Sequence, residues 1–264
     1  MKRTKLVAGN WKMNLTVKEA VALVQSCVKM VDAKSNVDVI VCPPSLAVPA
    51  VVEILHNTHI KVGAQDVFWM PAGAFTGKIS PLMLADAGVT FCIVGHSESR
   101  GRFGSSEIDP GDLAFFSETD HTINLKIKGL LYHAINPILC VGETRAERDA
   151  GQTDKVIRSQ IDAALDGIDG AELFFSVIAY EPVWAIGTGQ TCETSEASRV
   201  CSMIRQVIHE KYGEDLADEM RILYGGSVKA SNAGELFAAE SIDGGLVGGA
   251  SLDPSEFSRI VMSA

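Results

Sequence analysis

Side chains of complementary chemistry recur in one sequence setting, directly after short apolar runs. Glu181 follows the run 174–180, His96 follows 91–94 across Gly95, and Asn10, Trp11 and Lys12 follow 5–9. Gly225-Gly226-Ser227 follows 221–224, and Gly248-Gly249-Ala250-Ser251 follows 244–247. A third glycine-bearing segment, 182–189, comes straight after Glu181. A carboxylate can serve as a base, an imidazole as an acid or electrophile, and a lysine as an electrostatic clamp. Glycine turns let backbone N–H groups close around an anion such as phosphate, helped by the helix N-terminus behind them. These are the parts needed to move a proton on a small phosphorylated molecule.

Taken singly, each part has a plainer meaning. A strand-end glutamate is usually a solvated charge, a lone histidine a hydrogen-bonded structural residue, and a lone lysine a surface residue. Paired glycines are often only tight turns. Trp11 and Trp184 read as packing and hinge anchors. What lifts Glu181, His96 and Lys12 above these readings is that all three stand after strands.

The elements that must position them alternate along the chain. Eight short, β-branched apolar runs are expected as strands: 5–9, 37–42, 60–64, 91–94, 137–141, 174–180, 221–224 and 244–247. Near-continuous apolar strands belong to parallel sheets buried on both faces. Helical spacing lies between them, over 16–31, 44–57, 80–87, 118–134, 156–165, 194–212, 229–238 and 255–262. Spread over 264 residues, eight units take 264/8 = 33 residues each, about one βα repeat. The expected fold is therefore α/β, a single (β/α)8-barrel domain over 1–264 with eight parallel strands ringed by helices; a doubly wound open sheet is the alternative. In such barrels the chemistry sits on the loops after the strands, and the last two loops commonly hold phosphate. Residues 105–117 fit no unit, and with the turn signal Asp109-Pro110-Gly111 they read as a loop.

Composition narrows the function. Hydrophobic residues make up 47 % and charged residues 21 %, as in an ordinary globular protein. The net charge of −10 argues against nucleic acid and anionic membranes as partners. No apolar run approaches the length of a membrane span. Leu6–Gly9 is too short for a signal core, and the six cysteines form no C-x-x-C pair, so reduced thiols and a cytoplasmic location are expected. Competing motifs fail. Gly73 and Gly77-Lys78 are too closely spaced for a P-loop, and Ile79 replaces its Ser/Thr. Gly95-His96-Ser97-Glu98-Ser99 lacks the second glycine of a nucleophile elbow. No dinucleotide fingerprint is present.

Five segments together resemble the triosephosphate isomerase family, in that family's order and spacing. They are Ala8-Gly9-Asn10-Trp11-Lys12-Met13-Asn14, Gly95-His96-Ser97-Glu98, Tyr180 to Gly189 (YEPVWAIGTG), Tyr224-Gly225-Gly226-Ser227-Val228 and Val247-Gly248-Gly249-Ala250-Ser251-Leu252. The resemblance implies interconversion of dihydroxyacetone phosphate and glyceraldehyde 3-phosphate, without cofactor or metal. It makes Glu181 the base, neutral His96 the group that polarises the carbonyl, Lys12 the stabiliser of negative charge and Asn10 a substrate-orienting residue. Gly187, Ser227, Gly248 and Gly249 would hold the phosphate, and 182–189 would close as a lid. It implies a dry pocket that lifts the pKa of Glu181 and a helix start behind His96. Glu98 and Ser97 become neighbours of the site. Residues 65–79 resemble the family's interdigitating dimer loop, carrying Thr76 toward a partner's site, so a homodimer is expected.

The chain departs from the family pattern twice. Ser99 stands where an arginine is usual, although Arg100 is kept, and 105–117 separates Phe103-Gly104 from Glu118-Thr119-Asp120 as an insertion. The insertion has two readings, packing on the barrel side or a change in assembly, and the pair Phe115-Phe116 favours packing. Two other readings stay open: another phosphate-binding barrel isomerase, which would need a different base, and a catalytically inactive barrel that binds or scaffolds.

Overall fold

The computed structural model describes residues 3–31, 36–104, 108–116 and 118–264. Eight strands, β1 (Lys5–Asn10), β2 (Val37–Cys42), β3 (Ile60–Ala64), β4 (Phe91–Val94), β5 (Asn136–Val141), β6 (Val177–Tyr180), β7 (Arg221–Tyr224) and β8 (Gly244–Val247), form a closed barrel in sequence order. Every neighbouring pair is parallel, and β1 against β8 completes the circle, with Leu6 opposite Gly244 and Gly9 opposite Val247. Closure removes the open-sheet alternative and leaves no edge strand to protect.

Strand alternation sends side chains to two separate cores. Twelve residues, among them Leu6, Ile40, Phe91, Ile138, Val177 and Leu246, fill the barrel interior. β3 contributes none of them: a Cβ on Gly63 would lie 2.6 Å from Cys42 Sγ and 3.2 Å from Ile40 Cγ2. The glycine makes room for the larger side chains of β2. The second core lies between the sheet and helices α1 (Val17–Val31), α2 (Val48–Leu55), α3 (Pro81–Asp86), α4 (Asp120–Tyr132), α5 (Arg145–Asp149), α6 (Thr153–Ala164), α7 (Thr194–Tyr212), α8 (Glu214–Glu219), α9 (Ala230–Ala238) and α10 (Pro254–Met262). In α7 the buried stripe is Ala197, Val200, Cys201, Ile204, Val207 and Ile208, the spacing of one helical face.

Several boundaries differ from the sequence reading. β6 starts at Val177: Gly170–Leu173 is a 3-10 turn capped by Asp169, and Phe174 and Phe175 lie exposed beyond it. α4 starts at Asp120 because Thr119 caps it, accepting the Thr122 N–H. The helix expected over 44–57 is a 3-10 turn, Ser45–Ala47, followed by α2. The short charged helices α5 and α8 have no counterpart in the sequence reading, because neither is long enough to show a periodic apolar face.

Of the insertion, 105–107 and 117 lie outside the described residues. Pro110–Phe115 is a 3-10 helix rather than a plain loop. Phe116 packs edge-on against Phe103 at 5.4 Å, whereas Phe115 is 87 % exposed. All six cysteines are unpaired and buried, and burial raises the Cys27 thiol to about 11 and those of Cys42 and Cys192 to about 12.

Candidate active site

The loops after β1, β4, β6, β7 and β8 meet at one end of the barrel around a cavity of about 320 Å³. Asn10, Lys12, His96, Glu181, Gly187, Ser227, Gly248 and Gly249 all line it. Ser97 and Glu98 stand behind, touching the lining residues. Thr76 does not line the cavity; it lies exposed on 65–79.

Lys12 reaches the cavity through an unusual backbone, with φ +51°. A left-handed lysine costs on the order of 1–3 kcal/mol and persists only where its surroundings hold it. Here Asn10 Oδ1 accepts the Lys12 N–H at 3.0 Å, and Gln65 Nε2 donates to both Lys12 O and Cys42 O at 2.9 Å. Lys12 Nζ lies 2.5 Å from Glu98 Oε1.

His96 and Glu181 are buried against each other. Ser97 N–H donates to Glu181 Oε2 at 2.9 Å, and Oε1 lies 2.8 Å from His96 Nε2. That second contact is close but poorly aligned, and Oε1 has no well-directed hydrogen bond. The carboxylate is thus held by one firm bond and one loose one. The Glu98 N–H points at His96 Nδ1, 3.2 Å away. Nδ1 is therefore an acceptor, so the proton of a neutral ring sits on Nε2, facing the cavity. Among the described residues no helix starts behind His96; residues 97–101 form a turn in which the Ser99 and Arg100 N–H groups donate to His96 O and the Gly101 N–H to Glu98 O.

The charges of this pair depend on each other. Burial is the largest influence on His96 and opposes its charge, yet the Glu181 carboxylate raises its pKa above the ordinary histidine value. Burial also opposes charge on Glu181, but His96, the Ser97 N–H and Lys12 hold its pKa below the ordinary glutamate value. The lifted pKa expected for Glu181 is therefore absent in this arrangement, because its partners outweigh the dry surroundings.

Glycines shape the rest. A Cβ on Gly225 would fall 2.9 Å from Glu181 Cγ, so the β7 turn leaves the glutamate space. A Cβ on Gly142 would overlap the Glu181 carbonyl. A 3-10 helix, Gly249–Leu252, opens onto the cavity; Ser251 N–H donates to Gly248 O at 2.8 Å, and the Gly249 and Ala250 N–H groups before it have no acceptor within the helix.

The sequence reading passed over Glu143, just after β5. It is buried, and its Oε1 accepts from Trp184 Nε1 at 2.8 Å and Tyr180 Oη at 3.2 Å, while its carbonyl accepts the Val183 N–H. Burial raises its pKa, and the Trp184 and Tyr180 hydrogen bonds work against that rise. Arg148 stacks over the Trp184 ring at 3.7 Å. These contacts pin the start of the segment after β6. Position alone, an acid directly after a strand, was the available signal.

A family model described as triosephosphate isomerase matches residues 5–264. The triosephosphate isomerase of Acetivibrio thermocellus is 46 % identical over 260 residues, covering 98 % of each chain. That of Roseiflexus sp. RS-1 is 48 % identical over 259 residues, covering 98 % of this chain and 97 % of its own. That of Thermoanaerobacter sp. X514 is 46 % identical over 260 residues, covering 98 % and 99 %.

Proposed function

The chain belongs to the triosephosphate isomerase family, and from that membership we propose how its own residues carry the interconversion of dihydroxyacetone phosphate and D-glyceraldehyde 3-phosphate. Glu181 takes a proton from the carbon beside the carbonyl. His96, neutral with its proton on Nε2, hydrogen-bonds the carbonyl oxygen as it gains charge. Protonated Glu181 returns the proton to the neighbouring carbon, and His96 shuttles the hydroxyl proton between the two oxygens. A glutamate base with a neutral histidine electrophile is the pairing for which this family is the standard case.

The observation that carries this reading is the convergence of Glu181, His96, Lys12 and Asn10 on a single cavity with the glycine turns. Lys12, now paired with Glu98, would turn its charge to the substrate and enediolate. Asn10, which already fixes the Lys12 backbone, orients the substrate. The phosphate is held by Gly187, Ser227, Gly248 and Gly249, whose backbone N–H groups supply donors. No cofactor or metal enters this scheme.

Residues 182–189 act as a lid, a device of which triosephosphate isomerases are the standing example. Covering the substrate excludes water, protects the phosphorylated enediolate from eliminating phosphate, and strengthens each charge interaction inside. Glu181 must leave Ser97 to meet the substrate. Once desolvated there, its basicity rises to the level the reaction needs.

Assembly as a homodimer through 65–79 is supported by exposed apolar surface around that loop. Met13 is 97 % and Leu46 87 % exposed, and Phe75 is half-exposed; leaving such side chains in water favours a partner surface. Thr76 on this loop would reach the second subunit's site. We read 1–264 as one domain with 105–117 as an insertion upon it, working in the cytoplasm, where six unpaired thiols stay reduced.

The test is a coupled spectrophotometric assay with glyceraldehyde 3-phosphate, beside Glu181→Gln. Rapid isomerisation abolished in that variant supports the assignment. A folded variant that isomerises as fast as the wild type removes Glu181 from the mechanism.

A further inference from the structure

The segment after β6 packs against the loop after β4 at Gly104. A Cβ at Gly104 would overlap the carbonyl oxygens of Val183 and Ile186 and lie 3.0 Å from Thr188 Cγ2. Three of the eight residues from 182 to 189 therefore lean on a single glycine. Gly104 is exposed, its φ lies outside the left-handed region, and it does not line the cavity. Nothing about its own conformation requires glycine, so the requirement comes from the backbone packed against it.

We propose that Gly104 is a positioning residue for the reaction: it is the rest on which the lid lies when no substrate is bound. The proposal depends on 182–189 acting as the lid. The lid's inner end is already fixed, because Trp184 is bonded to Glu143 and Val183 N–H to the Glu143 carbonyl. Its outer half is braced within itself by the Thr188 hydroxyl on the Trp184 carbonyl at 2.8 Å. Against this braced unit lies the bare backbone of Gly104. A lid moving over the cavity leaves Gly104 behind, since Gly104 is not part of the cavity wall. Contact with Gly104 thus stabilises the resting lid and not the covered one. The apparent affinity for any ligand that needs the covered state is reduced by the fraction of protein already able to cover it.

The test is Gly104→Ala. The added methyl displaces the lid, with its cavity residues Ile186 and Gly187, from its rest, while the cavity residues outside 182–189 are not in contact with it. The probe is 2-phosphoglycolate, a non-reacting phosphorylated carboxylate, titrated by calorimetry, with KM and kcat measured for glyceraldehyde 3-phosphate. The variant should bind the probe about fivefold more tightly, ~1 kcal/mol. KM should fall with it and kcat should not rise. General damage to the fold would not tighten binding. Thr188→Ser is the second variant. It keeps the hydroxyl bond to Trp184 and loses only the methyl that leans on Gly104, so a smaller shift in the same direction is expected even if Gly104→Ala does not fold. Unchanged affinity in both variants overturns the proposal. Weaker binding by a folded Gly104→Ala overturns it too, because Gly104 would then support the covered lid. A separate control tests the lid itself: the probe should protect 182–189 of the wild-type protein from proteolysis. Without that protection the lid reading fails, whatever the variants do.

Discussion

Replacing Glu181 with aspartate moves the carboxylate back by one carbon–carbon bond, about 1.5 Å. The backbone cannot follow, because the Glu181 N–H is bonded to Val141 O at 2.7 Å and its carbonyl packs against Gly142 without room for a methyl. The base is therefore misplaced by roughly 1 Å or more relative to a substrate fixed by its phosphate. A misplacement of about 1 Å can cost on the order of 100-fold in rate, which is ~2.7 kcal/mol of added activation barrier at about 1.36 kcal/mol per tenfold. Stability should fall as well. Ser97 N–H loses its 2.9 Å acceptor, and an unpaired buried donor costs about 1–3 kcal/mol. The assay is steady-state kinetics with glyceraldehyde 3-phosphate, with a melting curve alongside. The expected result is a kcat reduced by about 100-fold or more with KM little changed. A kcat within a factor of about two of wild type, in a protein whose melting temperature has fallen, would refute the geometric reasoning: the carboxylate would be structural and the base elsewhere.

Trp184→Phe removes the 2.8 Å bond to Glu143; a hydrogen bond to a charged group contributes about 1.5–3 kcal/mol, so the melting temperature should fall by several degrees and KM should rise as the lid loses its anchor. An unchanged melting curve would show that the bond contributes nothing. For pH, His96 lies above its ordinary 6.5 in the folded protein. A group raised on folding stabilises most below its unfolded value, and that contribution is lost as pH rises through the folded value. The melting-temperature gap between wild type and His96→Gln should therefore narrow as pH rises above 6.5, while kcat/KM of the wild type climbs over the same interval as the ring becomes neutral; a gap constant with pH would contradict this. Joining Gly104 to Glu118 by deleting 105–117 should alter melting or light scattering more than turnover. Collapse of activity with assembly and melting intact would assign the insertion to the active site.

The barrel and the rim were legible because both are periodic. Apolar strands such as 37–42 and 91–94 match the sequence reading residue for residue, and the positions just past the strand ends hold Lys12, His96 and Glu181. Local rules failed where tertiary partners decide. Phe174-Phe175 has the composition of a strand but lies exposed past a capped turn. Lys12 gives no sign in its sequence of a left-handed backbone, which Asn10 and Gln65 impose from 2 and 53 residues away. Glu143 was indistinguishable from a surface acid until Trp184 and Tyr180 closed over it. The pKa of Glu181 could not be read from burial, because the opposing contribution comes from a histidine on another strand's loop. Phe115 and Phe116 are adjacent in sequence, yet one is exposed and the other half-buried against Phe103.

The six thiols have a practical consequence. Thiolate is the form that reacts with alkylating agents, and every one of these thiols is both shielded and held protonated. Labelling can proceed only through openings of the structure, so its rate reads how often each part comes apart. The positions are well spread: Cys27 on α1, Cys42, Cys92 and Cys140 on strands of the barrel, Cys201 on α7. Cys192 lies just beyond the lid, at the approach to α7. The enzyme carries its own set of clocks, and the order in which they run under an alkylating reagent traces the path by which the barrel opens.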